Sequence, residues 1–387
     1  MLGRAVLRRA GALAALAATA LAPGLLLAHA GARPGQAASS AATRARTLSS
    51  QCIGSSRAPS TTTPWTQQEL QPTRLWGMTT GAGQTVAVLD SGVSAAAPSL
   101  AGAVLPGRNV LGGGPADSDC LGHGTFVAAI IAGHPVPGTA FTGMAPRARI
   151  LPVDVVGPSQ YASSGSVTAR ALAAGIRYAV ASGASVIDVS AAVTPGPAPV
   201  LRTAVRLAQA SDVVIVAPAA ATGNTSTQAT HAGYPASFPG VIAVTAAGPG
   251  GALVAGSGAQ ARPDLAAPGT DVPGVGPHGL GQLTGAGDSI ATAFVAGAAA
   301  LVRSYYPQLS AAQVKARLEL TAQSPGTAVP SPQAGYGEVD PYDAVTMMLP
   351  QESGGRAPQL RQPPAADAEE AEEAVWFPGQ ASATSLP

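Results

Sequence analysis

Three short strings constrain this chain more than any other feature. Val86-Ala87-Val88-Leu89-Asp90-Ser91-Gly92, Gly122-His123-Gly124-Thr125 and Gly287-Asp288-Ser289-Ile290-Ala291-Thr292-Ala293-Phe294-Val295-Ala296-Gly297 occur in that order. Each holds one candidate member of an Asp/His/Ser triad: Asp90, His123 and Ser289. A serine hydroxyl is a poor nucleophile at neutral pH. It needs a base within hydrogen-bond reach, and that base needs an orienting carboxylate. A fold that uses these residues must therefore bring three distant segments to one point. Each residue also has a plainer reading. Asp90 suits a strand-end turn, and Ser289 suits a helix N-cap. A lone histidine is more often structural than catalytic, and His29, His134, His231 and His278 lie outside any motif. Three matched strings in one order reverse that prior for His123.

The segments around the strings alternate in character. Thr85–Leu89, Ile150–Val156, Ser185–Ser190, Val213–Val216 and Val241–Thr245 read as strands. His123–Ala132, Val167–Ala181, Val200–Ala210, Ser289–Tyr305 and Ser310–Ala322 carry helical spacing, with Ser310 a good N-cap. This alternation predicts an α/β fold, a central mostly parallel sheet with helices on both faces. Ligands of such sheets bind at the carboxyl ends of the strands, where Asp90 falls.

The organisation reads as four parts. Residues 1–30 form a signal peptide: Arg4, Arg8 and Arg9 precede an apolar run from Ala10 to Leu27, and Ala28-His29-Ala30 has the small-x-small form of a cleavage site. Pro23 and Gly24 interrupt the run, which argues against a retained spanning helix. Residues 31–64 read as an extended strap, rich in Ala, Ser, Thr, Gly and Pro. Residues 65–345 form the domain. Residues 346–387 read as a Pro-rich, acidic, disordered tail with the run Asp367-Ala368-Glu369-Glu370-Ala371-Glu372-Glu373.

The 387 residues are 46% hydrophobic and 11% charged, enough for a full core. A net charge of +1 gives no sign of a nucleic-acid partner. No metal cluster of Cys, His and carboxylates is visible, and no cofactor is expected. The two cysteines, Cys52 and Cys120, read in an exported chain as one disulfide. Two unpaired thiols are the alternative that export disfavours. A bridge at Cys120 would pin the N-terminal extension beside His123.

Over residues 65–345 the chain resembles the subtilases, the subtilisin-like serine proteases, whose triad runs in the same Asp, His, Ser order. Within them it is similar to the mycosins, the actinobacterial proteases associated with type VII secretion. The narrower likeness rests on three features. Pro64-Trp65-Thr66-Gln67-Gln68-Glu69-Leu70 leads through Leu75-Trp76 into Gly81-Ala82-Gly83-Gln84-Thr85-Val86. A cysteine precedes the histidine motif and has a mate in the N-terminal extension. Gly335-Tyr336-Gly337-Glu338-Val339-Asp340-Pro341-Tyr342-Asp343-Ala344-Val345 closes the domain. The strap is also too short for the folded inhibitory propeptide usual in subtilisins. The resemblance implies a subtilisin-like fold and an exported serine endopeptidase with a polypeptide substrate. It also implies extracellular or cell-envelope residence and partners among type VII secretion components. Mycosins generally end in a transmembrane helix. Beyond Val345 this chain offers only Met347-Met348-Leu349 before Pro350, so no C-terminal membrane anchor is expected.

The resemblance also implies accessory residues. The oxyanion hole would be formed by Ser289 N–H and an asparagine following the Val213–Val216 strand. Without a gap that asparagine falls on Ala221; with a short insertion it falls on Asn224, the reading adopted. Ser190, Ala191 and Ala192 would line the substrate cleft, in place of the family's glycine-bearing version. Asp288 stands where subtilases usually carry threonine. It removes a hydroxyl donor and adds charge near the oxyanion. At an effective dielectric of about 20, a carboxylate some 5 Å away would oppose the oxyanion by roughly 3 kcal/mol, about a hundredfold in rate. Facing outward it would cost much less. These departures motivate an alternative: a subtilase fold kept as a structural component of the secretion machinery, with weak or no proteolysis.

Overall fold

The computed structural model describes residues 52–53, 59–156, 167–193, 198–221, 231–253, 262–326 and 328–353. The signal peptide, most of the strap and the acidic tail lie outside the described residues. Among the described residues, no helix is long and apolar enough to cross a membrane.

The core is a sheet ordered β10-β8-β5-β4-β1-β3-β2, with a short β9 on β8. Its strands are β1 (Thr85–Asp90), β2 (Arg108–Asn109), β3 (Arg149–Asp154), β4 (Val186–Val189), β5 (Val214–Pro218), β8 (Ile242–Gly248), β9 (Ala252–Leu253) and β10 (Leu265–Pro268). Only the β8–β9 pair is antiparallel. A parallel sheet covered on both faces needs apolar side chains in both directions, so its strands read as continuous apolar runs. In β1, Val86 and Val88 enter one core cluster while Ala87 and Leu89 enter the other. The helices α2 (His123–Ala132) and α5 (Asp288–Tyr305) cover the first face. The helices α3 (Ala169–Ala181) and α4 (Pro199–Ala210) cover the second.

α5 is buried along residues 290–302. A helix apolar on every side belongs in a core, and its run of alanines lets neighbours approach closely. The remaining elements are smaller. α1 (Trp65–Leu70), α6 (Ala311–Leu320) and α7 (Pro341–Thr346) pack at the periphery, and two antiparallel pairs, β6 (Ala220–Ala221) with β7 (His231–Ala232) and β11 (Val272–Val275) with β12 (Gln282–Gly285), stand apart from the main sheet.

The topology places a site. From β1 the chain builds β2 and β3 to one side, then crosses to the other side of β1 for β4 and runs outward through β5, β8 and β10. The order therefore reverses at β1, whose carboxyl end is Asp90. A crevice at such a reversal is where open α/β sheets bind ligands.

Every strand and helix expected from the sequence is present, within a few residues at each end. The strand β10 was not expected. Leu265-Ala266-Ala267-Pro268 lacks β-branched residues, and only its pairing with β8 makes it a strand. The folded part also continues past the boundary at 345, as far as the one-turn helix Pro350–Ser353. The cause is Arg317 on α6, whose guanidinium is fully buried. It donates to the carbonyls of Ala344 and Met347, pairs with Glu352 and lies 4.3 Å over the Tyr306 ring. Truncating one member of a buried ion pair strands the other, at a cost of about 3–5 kcal/mol. Arg317→Ala should lower the unfolding free energy measured by urea denaturation by that amount, and an unchanged value would show that this segment does not belong to the cooperative unit.

Candidate active site

Asp90 closes β1 and is 2% exposed. Its Oδ1 accepts the Ser91 N–H at 2.7 Å, and its Oδ2 lies 2.7 Å from His123 Nδ1. His123 is the first residue of α2. Its Nε2 lies 3.2 Å from Ser289 Oγ. An ionised Asp90 can only accept, so Nδ1 carries the proton and Nε2 is left to accept the Ser289 hydroxyl. The three residues form one continuous hydrogen-bonded chain.

The local sequence explains the geometry. Gly122 caps α2 at φ 82, a backbone conformation that favours glycine. A Cβ on Gly124 would stand 2.0 Å from the Gly92 carbonyl oxygen, so only glycine lets the start of α2 reach the end of β1. Asp119 braces the turn. Its Oδ1 accepts from Ser91 Oγ, Leu121 N and Gly122 N, and its Oδ2 from the amide and hydroxyl of Thr125. Burial pushes the Asp119 carboxyl up, the Thr125 and Gly122 donors pull it back, and the charge of Asp90 adds to the rise. For His123, burial pulls the imidazole down. Asp90, by charge and hydrogen bond, with Asp119 and Asp188 by charge, outweighs burial and leaves it above its ordinary value.

The disulfide Cys52–Cys120 is formed. Ile53 N donates to the Cys120 carbonyl at 2.8 Å, and a Cβ on Gly122 would meet the Ile53 side chain at 2.8 Å. Residues 52–53 of the strap are thereby seated against the residue that precedes His123.

Ser289 is the second residue of α5, so its N–H belongs to the first turn, whose amides have no intrahelical partner. It opens onto a cleft of about 290 Å³ bordered by Ser190, Ala191 and Ala192, by Pro218, by His123 and by residues 286–289. The structure thus brings the expected cleft residues beside the triad. Asn224 lies outside the described residues. β6 and β7 pair through Ala220 with Ala232 and Ala221 with His231, and so bracket the segment that carries it. Ala221, the ungapped alternative, is a buried residue of β6 with no side-chain donor to offer.

The orientation of Asp288 answers the question its sequence raises. Its Oδ1 accepts the Ala246 N–H at 2.8 Å and its Oδ2 accepts the Ala220 N–H at 3.4 Å. The carboxyl is tied to β8 and β6. Burial pushes its pKa up, and these two amides counter the rise.

Two residues of the site escaped sequence reasoning. Asp119 is one; its signal was an acid adjacent to Cys120. Asp188 is the other. It is completely buried, accepts from Ser190 Oγ at 2.7 Å, and interrupts the apolar run Val186-Ile187-Asp188-Val189. A charge in the middle of a central strand was the signal. Burial drives its pKa up to about 7, against the hydrogen bond from Ser190 and the nearby hydroxyl of Thr292.

Comparison with known proteins agrees with this geometry. The model of the subtilase family (peptidase S8) matches residues 81–337. Mycosin-3 of Mycobacterium tuberculosis is 32% identical over 351 residues, covering 77% of this chain and 75% of the relative. Among solved structures, MycP1 from the ESX-1 type VII secretion system superposes with a TM-score of 0.69 at 29% identity, covering 79% of this chain and 92% of that one. A chain of the periplasmic assembly from the ESX-5 inner membrane complex gives 0.69 at 28% identity, covering 86% and 94%. The chain belongs to the subtilase family of serine endopeptidases, and its likeness within that family is to the mycosins.

The disulfide closes a long loop, its cysteines 68 positions apart in sequence. Loop-closure entropy for such a bridge is roughly 4 kcal/mol. Replacing both cysteines with serine should lower thermal stability accordingly. Hydrogen exchange should rise first at Leu121 and Gly122, and a protected Gly122 amide in the double variant would show that Asp119 alone holds the turn.

Proposed function

We propose that this chain is an exported serine endopeptidase that works by an acyl-enzyme mechanism alongside type VII secretion components. The observation that carries the reading is the unbroken chain from Asp90 through His123 to Ser289 at the floor of an open cleft. Ser289 Oγ attacks the scissile carbonyl while His123 Nε2 takes its proton. Asp90 holds the imidazole in the required tautomer and stabilises the imidazolium that forms. Negative charge on the carbonyl oxygen is met by Ser289 N–H, by the positive end of α5 and by Asn224. His123 then returns the proton to the leaving amine, and water resolves the acyl-enzyme by the same route. Ser190, Ala191 and Ala192 flank the substrate chain. The signal-like N-terminus and the likeness to proteins of ESX systems support export and residence in the cell envelope.

A second reading keeps the fold as an assembly component. It is favoured by Asp288, which leaves the site without the usual threonine beside the nucleophile. The two readings separate on one pair of proteins. Wild-type chain should react with a fluorophosphonate probe and Ser289→Ala should not. A folded wild-type protein that never labels, in cells where Ser289→Ala still supports secretion, would favour the structural role.

The basicity of His123 sets the pH dependence. The base must be neutral to act, and its pKa lies above the ordinary imidazole value. The acid limb of kcat/KM should therefore fall at higher pH than about 6.5, with activity lost as pH drops through it. A limb well below that value would mean that His123 is not the group titrating.

A further inference from the structure

Beneath the triad lies a carboxyl group that the mechanism above does not use. Asp188 stands opposite Val88 on β1, two residues before Asp90. It is 0% exposed. Its Oδ2 accepts the hydroxyl of Ser190, a cleft residue, at 2.7 Å. Its Oδ1 receives no hydrogen bond. The hydroxyl beside it belongs to Thr292 on α5, one turn beyond Ser289. That hydroxyl gives its own proton to the Ser289 carbonyl at 2.8 Å. A bare anionic oxygen in a dry interior is costly. A neutral carboxyl lowers the cost, because no charge is then left on the oxygen without a donor. Thr292 thus stands between Asp188 and the backbone of Ser289, with Ser190 on the carboxyl's other oxygen.

We propose that Asp188 is a positioning residue for the triad: its carboxyl joins the cleft wall at Ser190 to the nucleophile's helix through Thr292, and its ionisation tunes the basicity of His123. This rests on the peptidase reading above. The charged and titratable groups acting on Asp188 are Asp90 from β1 and His123 from α2. On His123 the same carboxylates act, Asp90 and Asp188, together with Asp119 from the turn before α2. The coupling between Asp188 and His123 is mutual. An ionised Asp188 favours the imidazolium, and a neutral one leaves His123 a weaker base. Because burial places the Asp188 carboxyl at about 7, both states are populated around neutral pH. The site then carries a proton-linked adjustment under its general base.

The test uses the full chain with Ser289→Ala, so that it does not depend on proteolysis. Aspartate labelled at the carboxyl carbon is followed by NMR from about pH 4 to 9, together with the His123 ring. The Asp188 carboxyl should titrate close to neutrality, and the His123 curve should bend in step with it. Adding Asp188→Asn, which preserves shape and supplies an amide donor to Thr292, should move the His123 midpoint to lower pH. An Asp188 that keeps one ionisation state throughout, or a His123 midpoint indifferent to Asp188→Asn, would overturn the proposal. The titration of unsubstituted Asp188 decides the matter even where the asparagine variant fails to fold. In the wild-type background, Asp188→Asn should shift the acid limb of kcat/KM in the same direction as the ring titration. Absence of any turnover in wild type would sink the peptidase reading alone, since the NMR coupling is measured without it.

Discussion

The constraint on which this structure depends is the need to bury acids without buried cations beside them. Asp90, Asp119, Asp188 and Asp288 all cluster at the carboxyl ends of the strands or the helix starts that face them. Among the described residues, the lysine and the buried arginine are engaged elsewhere: Lys315 with Asp264 and Glu319, Arg317 with Glu352. The acids are met instead by backbone amides, hydroxyls and one imidazole. Hydrogen bonds to a charged acceptor are the strong ones, and several on one carboxylate can hold it ionised in a dry site. Asp119 receives five, from the turn that carries His123 and from Ser91. Its demand for donors is what folds that turn into a single conformation.

The same accounting ranks the four acids. Asp288 takes two amides, and Asp90 takes one amide and the imidazole N–H. Asp188 has one hydroxyl and a second oxygen with no donor. The acid with the fewest donors is the one that burial raises to about 7. Distribution of donors, as well as depth of burial, sets Asp188 apart.

Much of this was legible in the sequence because it is local. Asp90, His123 and Ser289 announce themselves through the glycines and apolar runs around them. Those patterns report strand ends and helix starts, which in a parallel sheet are the places a site can stand. Gly122 and Gly124 stand in the histidine string itself, and the structure supplies the atom that demands the second of them, the Gly92 carbonyl. What was not legible depends on partners far along the chain. Leu265-Ala266-Ala267-Pro268 becomes a strand only because β8 offers its edge. The hold on the segment after 345 was not legible either, because the residue responsible, Arg317, lies on α6 and carries no sign of burial in its own neighbourhood. The web of Asp119 and the isolation of Asp188 are tertiary facts, although an acid inside Val-Ile-Asp-Val is a local anomaly that invites the question.

Asp288 shows why side-chain direction matters more than residue type at such a site. Its formal charge beside the nucleophile suggests opposition to the oxyanion of roughly 3 kcal/mol at about 5 Å and an effective dielectric of about 20. That figure assumes a free carboxylate. Here both oxygens sit on amides of β8 and β6, whose dipoles oppose the field of the charge, and burial at the same time favours its neutral form. Both effects reduce the charge felt at Ser289. The tether to Ala220 has a further consequence. Ala220 pairs with Ala232 across β6 and β7, so the residue at the family's threonine position is tied to that strand pair as well as to β8. The departure from the family pattern at position 288 therefore supplies an anchor, a carboxyl that ties the start of the nucleophile's helix to two neighbouring strands.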